Sequence, residues 1–501
     1  MHAKLFTACA EGNKELVRSL LNKAPRIRTE SKAGWSGLHW ASNNGYPSLL
    51  SLLMKKGEDI SLQDRNGWTP LFAAARNQQD ETMLMLLDHG ADIDAETESG
   101  STALHHAVEY GHISIIHLLL DRHADINKKN GREETVLHLA VAGRNPEIVK
   151  LLAERGADLE SFNIFGERAL HLAASYGLLA LMEILVDHGA ELDARDGYGA
   201  TPLFHAAATG HEDAVCMLLV KGSDIKATNR YQETPIFEAA RRGHAGMVQL
   251  LLQMGYDARH KAKHGTTVLH EAAKNGHNAI LRLLLDNDVD INALTENGWT
   301  ALHKSMAAGH DETTSLLLQH GAAVRGEKMA TGQVLHVLAS HGHLGAVQLL
   351  IENGEDVRFM DEIGSTAVHK ATENGHEAII KLLLDCGAKI EAADNVGRRA
   401  LHIAASYEHV AIIELLLDRG ANIEAADDIG RIALHIALGN RHEAIIELLL
   451  HRGANIEAVD NVGRTALHIA VRNRHEAIIE LLLDRGANIE AADDRGWTAL
   501  I

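Results

Sequence analysis

The chain of 501 residues has few cysteines, prolines and aromatic residues. Its three cysteines, Cys9, Cys216 and Cys386, lie far apart in the sequence, so no disulfide framework is expected. This favours a reducing compartment, and we expect the protein to be cytoplasmic and/or nuclear. No run of about 18 apolar residues is present, and the N-terminus lacks a basic segment followed by an apolar one. The sequence therefore predicts neither a membrane-spanning helix nor a signal peptide.

Positive charge is also in short supply. The chain carries 48 lysines and arginines against 68 acidic residues, which gives a formal net charge of −20 at pH 7. Such a surface repels nucleic-acid phosphates and anionic lipid head groups. We therefore expect no direct nucleic acid binding and no membrane insertion.

The apolar residues recur with a period of 33 residues from one end of the chain to the other. The segment Asn461–Asp493 is identical to Asn395–Asp427 at 27 of 33 positions and to Asp428–Asp460 at 26. One aliphatic anchor marks each step: Leu5, Leu38, Leu71, Leu104, Leu137, Leu170, Leu203, Ile236, Leu269, Leu302, Leu335, Val368, Leu401, Leu434, Leu467 and Leu500. A fixed period of this length predicts a solenoid that grows as one array rather than several separate globular domains.

One repeat can be interpreted as two short helices and a loop. Thr465 is placed to cap the first helix, and Ala470 is small enough to let the paired helix approach closely. The second helix is predicted over Ala477–Asp484, and Gly486 ends it because glycine tolerates the left-handed backbone of such stops. The following Ala487–Arg495 is predicted to form a finger loop. No repeat can bury both apolar faces alone, so we expect stability to come from stacking.

The letters T-A-L-H-I-A from Thr465, the three leucines Leu481–Leu483 and G-A-N-I from Gly486 resemble the ankyrin repeat. The resemblance covers essentially the whole chain. It implies an all-α ankyrin-repeat solenoid of stacked helix–turn–helix units with protruding β-hairpin-like finger loops. It also implies a concave side, built from fingers and first helices, that usually holds another protein. The family is not catalytic as a rule.

We predict a single ankyrin-repeat domain over residues 1–501. It comprises an N-terminal cap repeat at 1–31, repeats 2–15 at about 32–494 and a truncated sixteenth repeat at 495–501. In repeat 11, Leu338 stands where alanine is usual, so we predict a bend or soft joint at residues 322–345. The chain stops without a polar capping repeat at Ile501, which motivates an alternative: a regulatory or sensing ankyrin arm of a larger multidomain protein.

Histidine is abundant, with 33 residues, but most of it repeats with the scaffold. One set occupies the slot of the repeat pattern T-x-L-H, whose first position is most often threonine: His39, His105, His138, His171, His270, His303, His336, His369, His402, His435 and His468. A second slot follows the turn: His112, His211, His244, His277, His310, His343, His376, His409, His442 and His475. We interpret both slots as structural, the first bonding the neighbouring threonine and the second bonding loop carbonyls.

No catalytic motif is present. The zinc-protease pattern H-E-x-x-H fails because isoleucine follows at the fifth position after His376, His442 and His475. The sequence has no phosphate-binding P-loop and no nucleophile elbow. We therefore predict that the protein is not an enzyme and has no catalytic residues, no cofactor and no metal.

Irregular side chains along the fingers and first helices are the candidates for partner binding. The aromatic candidates are Trp35, Trp40, Trp68, Tyr110, Phe165, Tyr176, Tyr198, Tyr231 and Trp299. Tyrosine, tryptophan and arginine dominate binding hot spots because they bury large areas at a small entropic cost. Trp35, Trp68 and Trp299 share one repeat slot, where packing on the adjacent finger is the alternative interpretation. Trp40, Tyr110 and Tyr176 project from the first helices and are the better candidates.

A basic cluster stands out from the acidic background. It consists of Arg230, Arg241 and Arg242, followed by Arg259, His260, Lys261, Lys263 and His264. It is either solvated charge or a site that pairs with an acidic segment of a partner. Near the other end, repeated acidic rows such as Glu447, Glu457, Glu480 and Glu490 are interpreted as a solvating face.

Taken together, these features predict a non-catalytic protein–protein interaction scaffold or adaptor. The partner is expected in the concave groove, centred on repeats 2–9. The family resemblance adds transcriptional co-regulator and signalling adaptor as roles, which the sequence does not rank. A monomer is expected.

Overall fold

A computed structural model describes residues 2–23, 34–323 and 332–499. Within these residues the chain forms 30 α-helices, one 3-10 helix at Lys263–Gly265 and no strand. The α-helices are α1 His2–Ala10, α2 Lys14–Lys23, α3 Gly37–Asn43, α4 Pro47–Lys55, α5 Pro70–Arg76, α6 Asp80–Asp88, α7 Ala103–Glu109, α8 Ile113–Asp121, α9 Val136–Ala142, α10 Pro146–Glu154, α11 Ala169–Ser175, α12 Leu179–Asp187, α13 Pro202–Thr209, α14 Glu212–Lys221, α15 Pro235–Arg242, α16 Ala245–Gln253, α17 Val268–Lys274, α18 Asn278–Leu285, α19 Ala301–Ala307, α20 Asp311–Gln319, α21 Gly332–His341, α22 Leu344–Glu352, α23 Ala367–Glu373, α24 Glu377–Asp385, α25 Ala400–Ser406, α26 Val410–Asp418, α27 Ala433–Asn440, α28 Glu443–His451, α29 Ala466–Arg472 and α30 Glu476–Asp484.

The chain divides into two compact units, residues 1–257 and 258–501. In each unit the odd-numbered helices pack on one another in sequence, as α11 does on α13 and α25 on α27. The even-numbered helices form the second layer, and each packs on the odd-numbered helix before it. We call the odd-numbered helices inner and the even-numbered ones outer. Both units are therefore all-α solenoids of paired helices, as predicted; the assignment of all 501 residues to one domain stays a prediction.

The core follows the repeat anchors. Leu104 and Ala107 of α7 are fully buried, and so are Ile115 and Leu119 of α8. Alanine at the Ala107 slot has no bulk beyond Cβ, which allows close packing of adjacent inner helices. Burial of this kind contributes about 25 cal/mol for each Å² of apolar surface removed from water.

Where it holds a histidine, the first slot links an inner helix to the finger that follows it. The backbone N–H of Thr102 donates to Nδ1 of His105 at 3.1 Å, and the Thr102 hydroxyl lies 2.8 Å from the same nitrogen. Because Nδ1 accepts, the proton of the neutral ring sits on Nε2, which donates to the carbonyl of Glu134 at 3.3 Å. Thr465 likewise contacts Nδ1 of His468 at 2.8 Å. These contacts confirm the structural interpretation of this slot.

The histidines of the second slot form hydrogen bonds to the preceding repeat. Nε2 of His244 contacts the carbonyl of Ala208 at 3.0 Å, and His376 contacts that of Ser340 at 3.0 Å. Each of these acceptors lies in the preceding repeat, so a turn histidine bonds its own repeat to the one before it. The turn histidines bond backbone carbonyls as expected, but at these positions the carbonyls belong to the ends of inner helices and not to loops.

The fingers are hairpin-like turns. In one of them Asp460 N–H donates to the carbonyl of Arg464 at 3.1 Å, and Oδ1 of Asp460 accepts from two further N–H groups of the same finger. Gly463 at the tip has a φ of 76°, and a Cβ there would lie 2.6 Å from the backbone nitrogen of Asp494. Close approach of adjacent fingers therefore requires glycine at this position.

Parts of three predictions lie outside the described residues. Residues 24–31 of the cap repeat, 324–331 of the predicted bend and 500–501 of the truncated repeat belong to these parts. Leu338, which motivated the bend, is fully buried in α21. The bend stays a prediction.

Candidate partner-binding site

A cavity of about 500 Å³ opens on the inner helices of the first unit. Two fingers, residues 196–200 and 229–233, form its walls, and α13 and α15 form its floor. Tyr198, Tyr231, Arg241 and Arg242 all line it. Four of the residues predicted for partner binding are therefore brought together at one place.

The fingers hold the two tyrosines outward. Oδ1 of Asp196 accepts the N–H groups of Tyr198 and Ala200, both at 2.8 Å. Asn229 does the same for Tyr231 at 2.9 Å, and the N–H of Arg230 donates to the carbonyl of Tyr198 at 3.0 Å. Tyr198 is 61% exposed and Tyr231 is 55% exposed, although both lie on hydrogen-bonded backbone. Their rings are thus available to a partner at a small entropic cost.

The floor carries a histidine–carboxylate pair that lies in neither repeat slot. Nε2 of His205 contacts Oδ2 of Asp196 at 2.9 Å, and Nδ1 of His205 lies 3.9 Å from Glu167. Burial raises the pKa of Asp196, but hydrogen bonds from His205, Ala200 and Tyr198 outweigh it, and the pKa stays below its ordinary value. Asp196 is therefore an anion that fixes the finger and orients the His205 ring.

The two arginines of the cavity are held in ion pairs. Arg241 bridges Glu233 and Glu238, and Nε of Arg242 donates to Glu238 at 2.7 Å. The carboxylates of Glu233 and Glu238 are more buried than either guanidinium. The floor is thus acidic and the rim basic. Arg242 is the more exposed of the two arginines, with more than half of its side chain accessible.

The rest of the predicted basic cluster is divided. Arg230 is exposed on the finger beside Tyr231. Arg259, His260, Lys261, Lys263 and His264 belong to the second unit. There, Nδ1 of His264 lies 2.9 Å from Glu296, and Arg259 contacts Asp288. Internal ion pairs therefore engage much of the charge that the sequence shows.

The slot tryptophans pack on neighbouring groups. Nε1 of Trp35 donates to Asp64 at 2.8 Å, and Trp68 lies under the guanidinium of Arg76 at 5.0 Å. Trp299 of the second unit lies 5.1 Å from the Lys304 ammonium. The packing interpretation of this slot is confirmed for Trp35.

Trp40 is more enclosed than we predicted for a contact residue. Its ring meets Phe6 at 5.4 Å and Trp35 at 4.8 Å. Its Nε1 is buried and has no hydrogen-bond partner. Trp40 therefore packs against the first repeat, and only part of its ring can reach a partner.

The remaining aromatic candidates are exposed outside the cavity. Tyr110 and Tyr176 stand at the ends of α7 and α11, each with an arginine 5.8 Å from its ring centroid: Arg76 for Tyr110 and Arg144 for Tyr176. Phe165 is exposed on the finger before Tyr198. These three side chains extend the exposed aromatic surface of the first unit beyond the cavity.

Sequence reasoning missed the acidic and buried half of the cavity: Asp196, Phe204, His205, Asn229, Glu233 and Glu238. Only His205 carried a signal, since it is one of the histidines that fall in neither repeat slot. The carboxylates looked like ordinary finger and helix residues. Their partners lie up to nine positions away in the sequence, as Asp196 does from His205, and only folding brings them together.

In the described part of the chain, no group of three or more histidine, cysteine or acidic side chains is placed to hold a metal ion. Burial and the charge of Glu58 raise the pKa of Cys9 to about 12, so its thiol is a poor nucleophile. No helix between residues 2 and 499, apart from the undescribed stretches, is long and apolar enough to cross a bilayer.

Stacked helix pairs joined by glycine turns and fingers define a helical repeat protein with an exposed inner face. The family model described as ankyrin repeats (3 copies) matches the chain in overlapping segments at residues 5–97, 38–130, 92–163, 137–229, 217–295, 236–328, 287–361, 335–427 and 424–493. The chain therefore belongs to the ankyrin-repeat family. Among curated proteins, no sequence matches it significantly. Ankyrin repeats generally mediate protein–protein interaction, and proteins built from them are typically non-catalytic.

Proposed function

We propose that this chain is a non-catalytic scaffold or adaptor that binds a partner protein on the inner face of its first unit. The observation that carries the proposal is the Tyr198–Tyr231 cavity. Two exposed rings stand there on hydrogen-bonded fingers above a floor of paired charges. A preformed site loses little conformational entropy on binding, so aromatic contacts in it contribute more to affinity.

The basic rim indicates which chemical groups a partner would need in order to bind there. Arg242 and Arg230 are exposed beside the two tyrosines, while Glu233 and Glu238 lie deeper. An acidic residue of the partner is therefore attracted to the rim and an apolar or aromatic one to the space between the rings. Tyr110, Phe165 and Tyr176 extend this surface. The adaptor would act as a signalling component or transcriptional co-regulator in the cytoplasm or nucleus.

The test compares what the full chain captures from cell extract with what two variants capture. Tyr198→Ala/Tyr231→Ala/Arg242→Glu changes only exposed cavity residues, so circular dichroism should show an unchanged fold. Val220→Ala/Lys150→Glu, on the outer helices α14 and α10, is the matched control, since both residues are exposed on another face. We expect prey that bind the wild type and the control to fall by at least about tenfold with the cavity variant.

Equal recovery of every prey by the wild type and the cavity variant would contradict the proposal. Prey lost with the control but kept by the cavity variant would place binding on the outer helices. For a prey that behaves as expected, Arg242→Glu alone should lower the association rate more at low salt than at high salt, because rim charges steer encounter.

A further inference from the structure

A row of four aliphatic side chains stands exposed on consecutive fingertips of the second unit. Ile363, Val396, Ile429 and Val462 recur at steps of 33 residues. They are 56%, 53%, 54% and 47% exposed. We name these four residues the aliphatic ridge. Arg495 occupies the same slot in the next finger and ends the ridge.

The ridge is held by backbone hydrogen bonds. Each ridge N–H donates to the aspartate two residues earlier, as Val396 does to Asp394 at 3.0 Å and Val462 to Asp460 at 3.1 Å. Each ridge carbonyl accepts from the next finger, as that of Ile363 does from Asn395 at 3.0 Å. The four apolar side chains are thus displayed at fixed spacing before any partner arrives, which lowers the entropic cost of binding.

The charge beside the ridge is negative. Arg398, Arg431 and Arg464 are each committed to a buried aspartate of their own finger, at 2.8, 2.8 and 2.6 Å. The neighbouring fingertip carboxylates, Glu362 and Asp428, have no ion pair in the described structure, and neither has Asp494 beyond the last ridge residue. A partner is therefore favoured if it is apolar along one line and basic beside it. A second copy of this acidic ridge would bring like charges together.

The distance between successive fingertips favours an α-helical partner. Helices packed side by side lie about 10 Å apart, and this sets the distance between successive fingertips. Seven residues of an α-helix advance about 10.5 Å. One aliphatic residue in every seven along a helix therefore meets successive ridge side chains, and lysine or arginine on its flanks meets the fingertip carboxylates.

From this we infer that the aliphatic ridge binds an amphipathic helix whose apolar residues recur every seventh position and whose flanks are basic. The site lies in the second unit and does not depend on the Tyr198–Tyr231 cavity of the first. It assigns a contact role to fingertips of repeats 12–15, which lie outside the partner-binding region that the sequence predicted in repeats 2–9.

The probe is a synthetic helical peptide with one leucine for each ridge residue at every seventh position and lysine on both flanks. Its binding to the full chain is measured by calorimetry, alongside a peptide of the same pattern with glutamate flanks. Ile363→Ser/Val396→Ser/Ile429→Ser/Val462→Ser removes the ridge. Phe165→Ser/Tyr198→Ser/Tyr231→Ser changes the same fingertip slot in the first unit and serves as the matched control.

We expect the lysine peptide to bind the wild type and the control variant alike, and to lose at least about tenfold in affinity on the ridge variant. Glu362→Lys/Asp428→Lys should weaken the lysine peptide and strengthen the glutamate peptide. Three results would each overturn the inference: no binding of the lysine peptide, equal binding to wild type and ridge variant, or self-association of the wild type that the ridge variant loses. The last result would identify a second copy as the occupant. None of them bears on the cavity.

Discussion

Arg441 and Arg474 replace a glycine of the repeat, and each replacement costs conformational free energy. They stand where most other repeats have glycine before the turn histidine, and their φ values are 65° and 55°. Left-handed backbone costs a residue with a Cβ about 1–2 kcal/mol. The positive φ at both positions therefore imposes this cost on an arginine. A Cβ in this slot also crowds the next repeat, since one at Gly177 would lie 2.6 Å from the His211 ring.

Arg474→Gly should stabilise its repeat by roughly 0.5–1 kcal/mol, because relief of the left-handed strain exceeds the added flexibility of the unfolded chain. Arg441→Gly should gain less, since Nη2 of Arg441 also donates to the carbonyl of Asn473 at 2.9 Å. Amide hydrogen exchange over α29 and α30 in the full chain measures the effect.

The control for this prediction is Arg472→Gly. Arg472 is helical, so glycine there should lower protection by up to about 1 kcal/mol. Faster exchange in Arg474→Gly than in the wild type would show that the strain is offset by contacts we have not assigned.

At the scale of the helix, the histidine of the first slot acts as a neutral cap. Burial lowers the pKa of His171 and His270 to about 4. Burial also lowers the pKa of seven others in this slot: His39, His105, His138, His336, His369, His402 and His435. Protonation would place a hydrogen on Nδ1 opposite a backbone N–H that already donates to it. The cap therefore works only with the uncharged ring.

Acid should destabilise both units well before the carboxylates titrate. A histidine with a lowered folded-state pKa binds its proton more readily in the unfolded chain, so stability falls as the pH drops from about 6.5 towards about 4. For His171 the loss amounts to roughly 3 kcal/mol at the lower end. Hydrogen exchange at pH 7.5, 5.5 and 4.5, corrected for intrinsic rates, measures it.

His171→Gln supplies the control for the acid prediction. The variant should be less stable at pH 7.5, because its cap is altered, yet α11 should lose most of its dependence on pH between 6.5 and 4. An unchanged pH profile in α11 would mean that another group causes the acid sensitivity.

At the scale of the whole chain, stability is local. Within each unit, every helix pair packs on adjacent pairs, so the free energy of unfolding of a unit is close to a sum of repeat and interface contributions. The exposed pairs that join neighbouring outer helices, such as Arg122 with Asp88 and Arg452 with Asp418, add at most about 1 kcal/mol each. Apolar packing and the histidine links between repeats contribute more.

Leu104→Ala should destabilise by about 2–5 kcal/mol, because it leaves a cavity in a fully buried position. We expect faster hydrogen exchange in α5–α9 and unchanged exchange in α27–α30. Leu434→Ala, at the same slot of the second unit, should give the reverse pattern. A uniform loss of protection along the chain in either variant would show one cooperative unit and contradict a local account.

Sequence reasoning recovered most of the fold and part of the candidate site. It identified the buried anchors, the two structural histidine slots and the exposed tyrosines Tyr198 and Tyr231. It did not find the His205–Asp196 pair or the glutamates that hold Arg241. In the sequence, Arg241 and Arg242 look like free positive charges. In the structure they form ion pairs with Glu233 and Glu238, which the repeat pattern does not mark.

The sequence by itself determined the repeat fold, because each core side chain contacts the same residue types one period away. The residues of one repeat therefore define the packing environment of the same residues in the adjacent repeats. Only the tertiary structure decided which irregular side chains share a surface: the cavity gathers residues 196–242, and the aliphatic ridge gathers one residue from each of four fingers. These groupings depend on non-repeating neighbours and on the rotamers that their ion pairs select, and neither is encoded in the period.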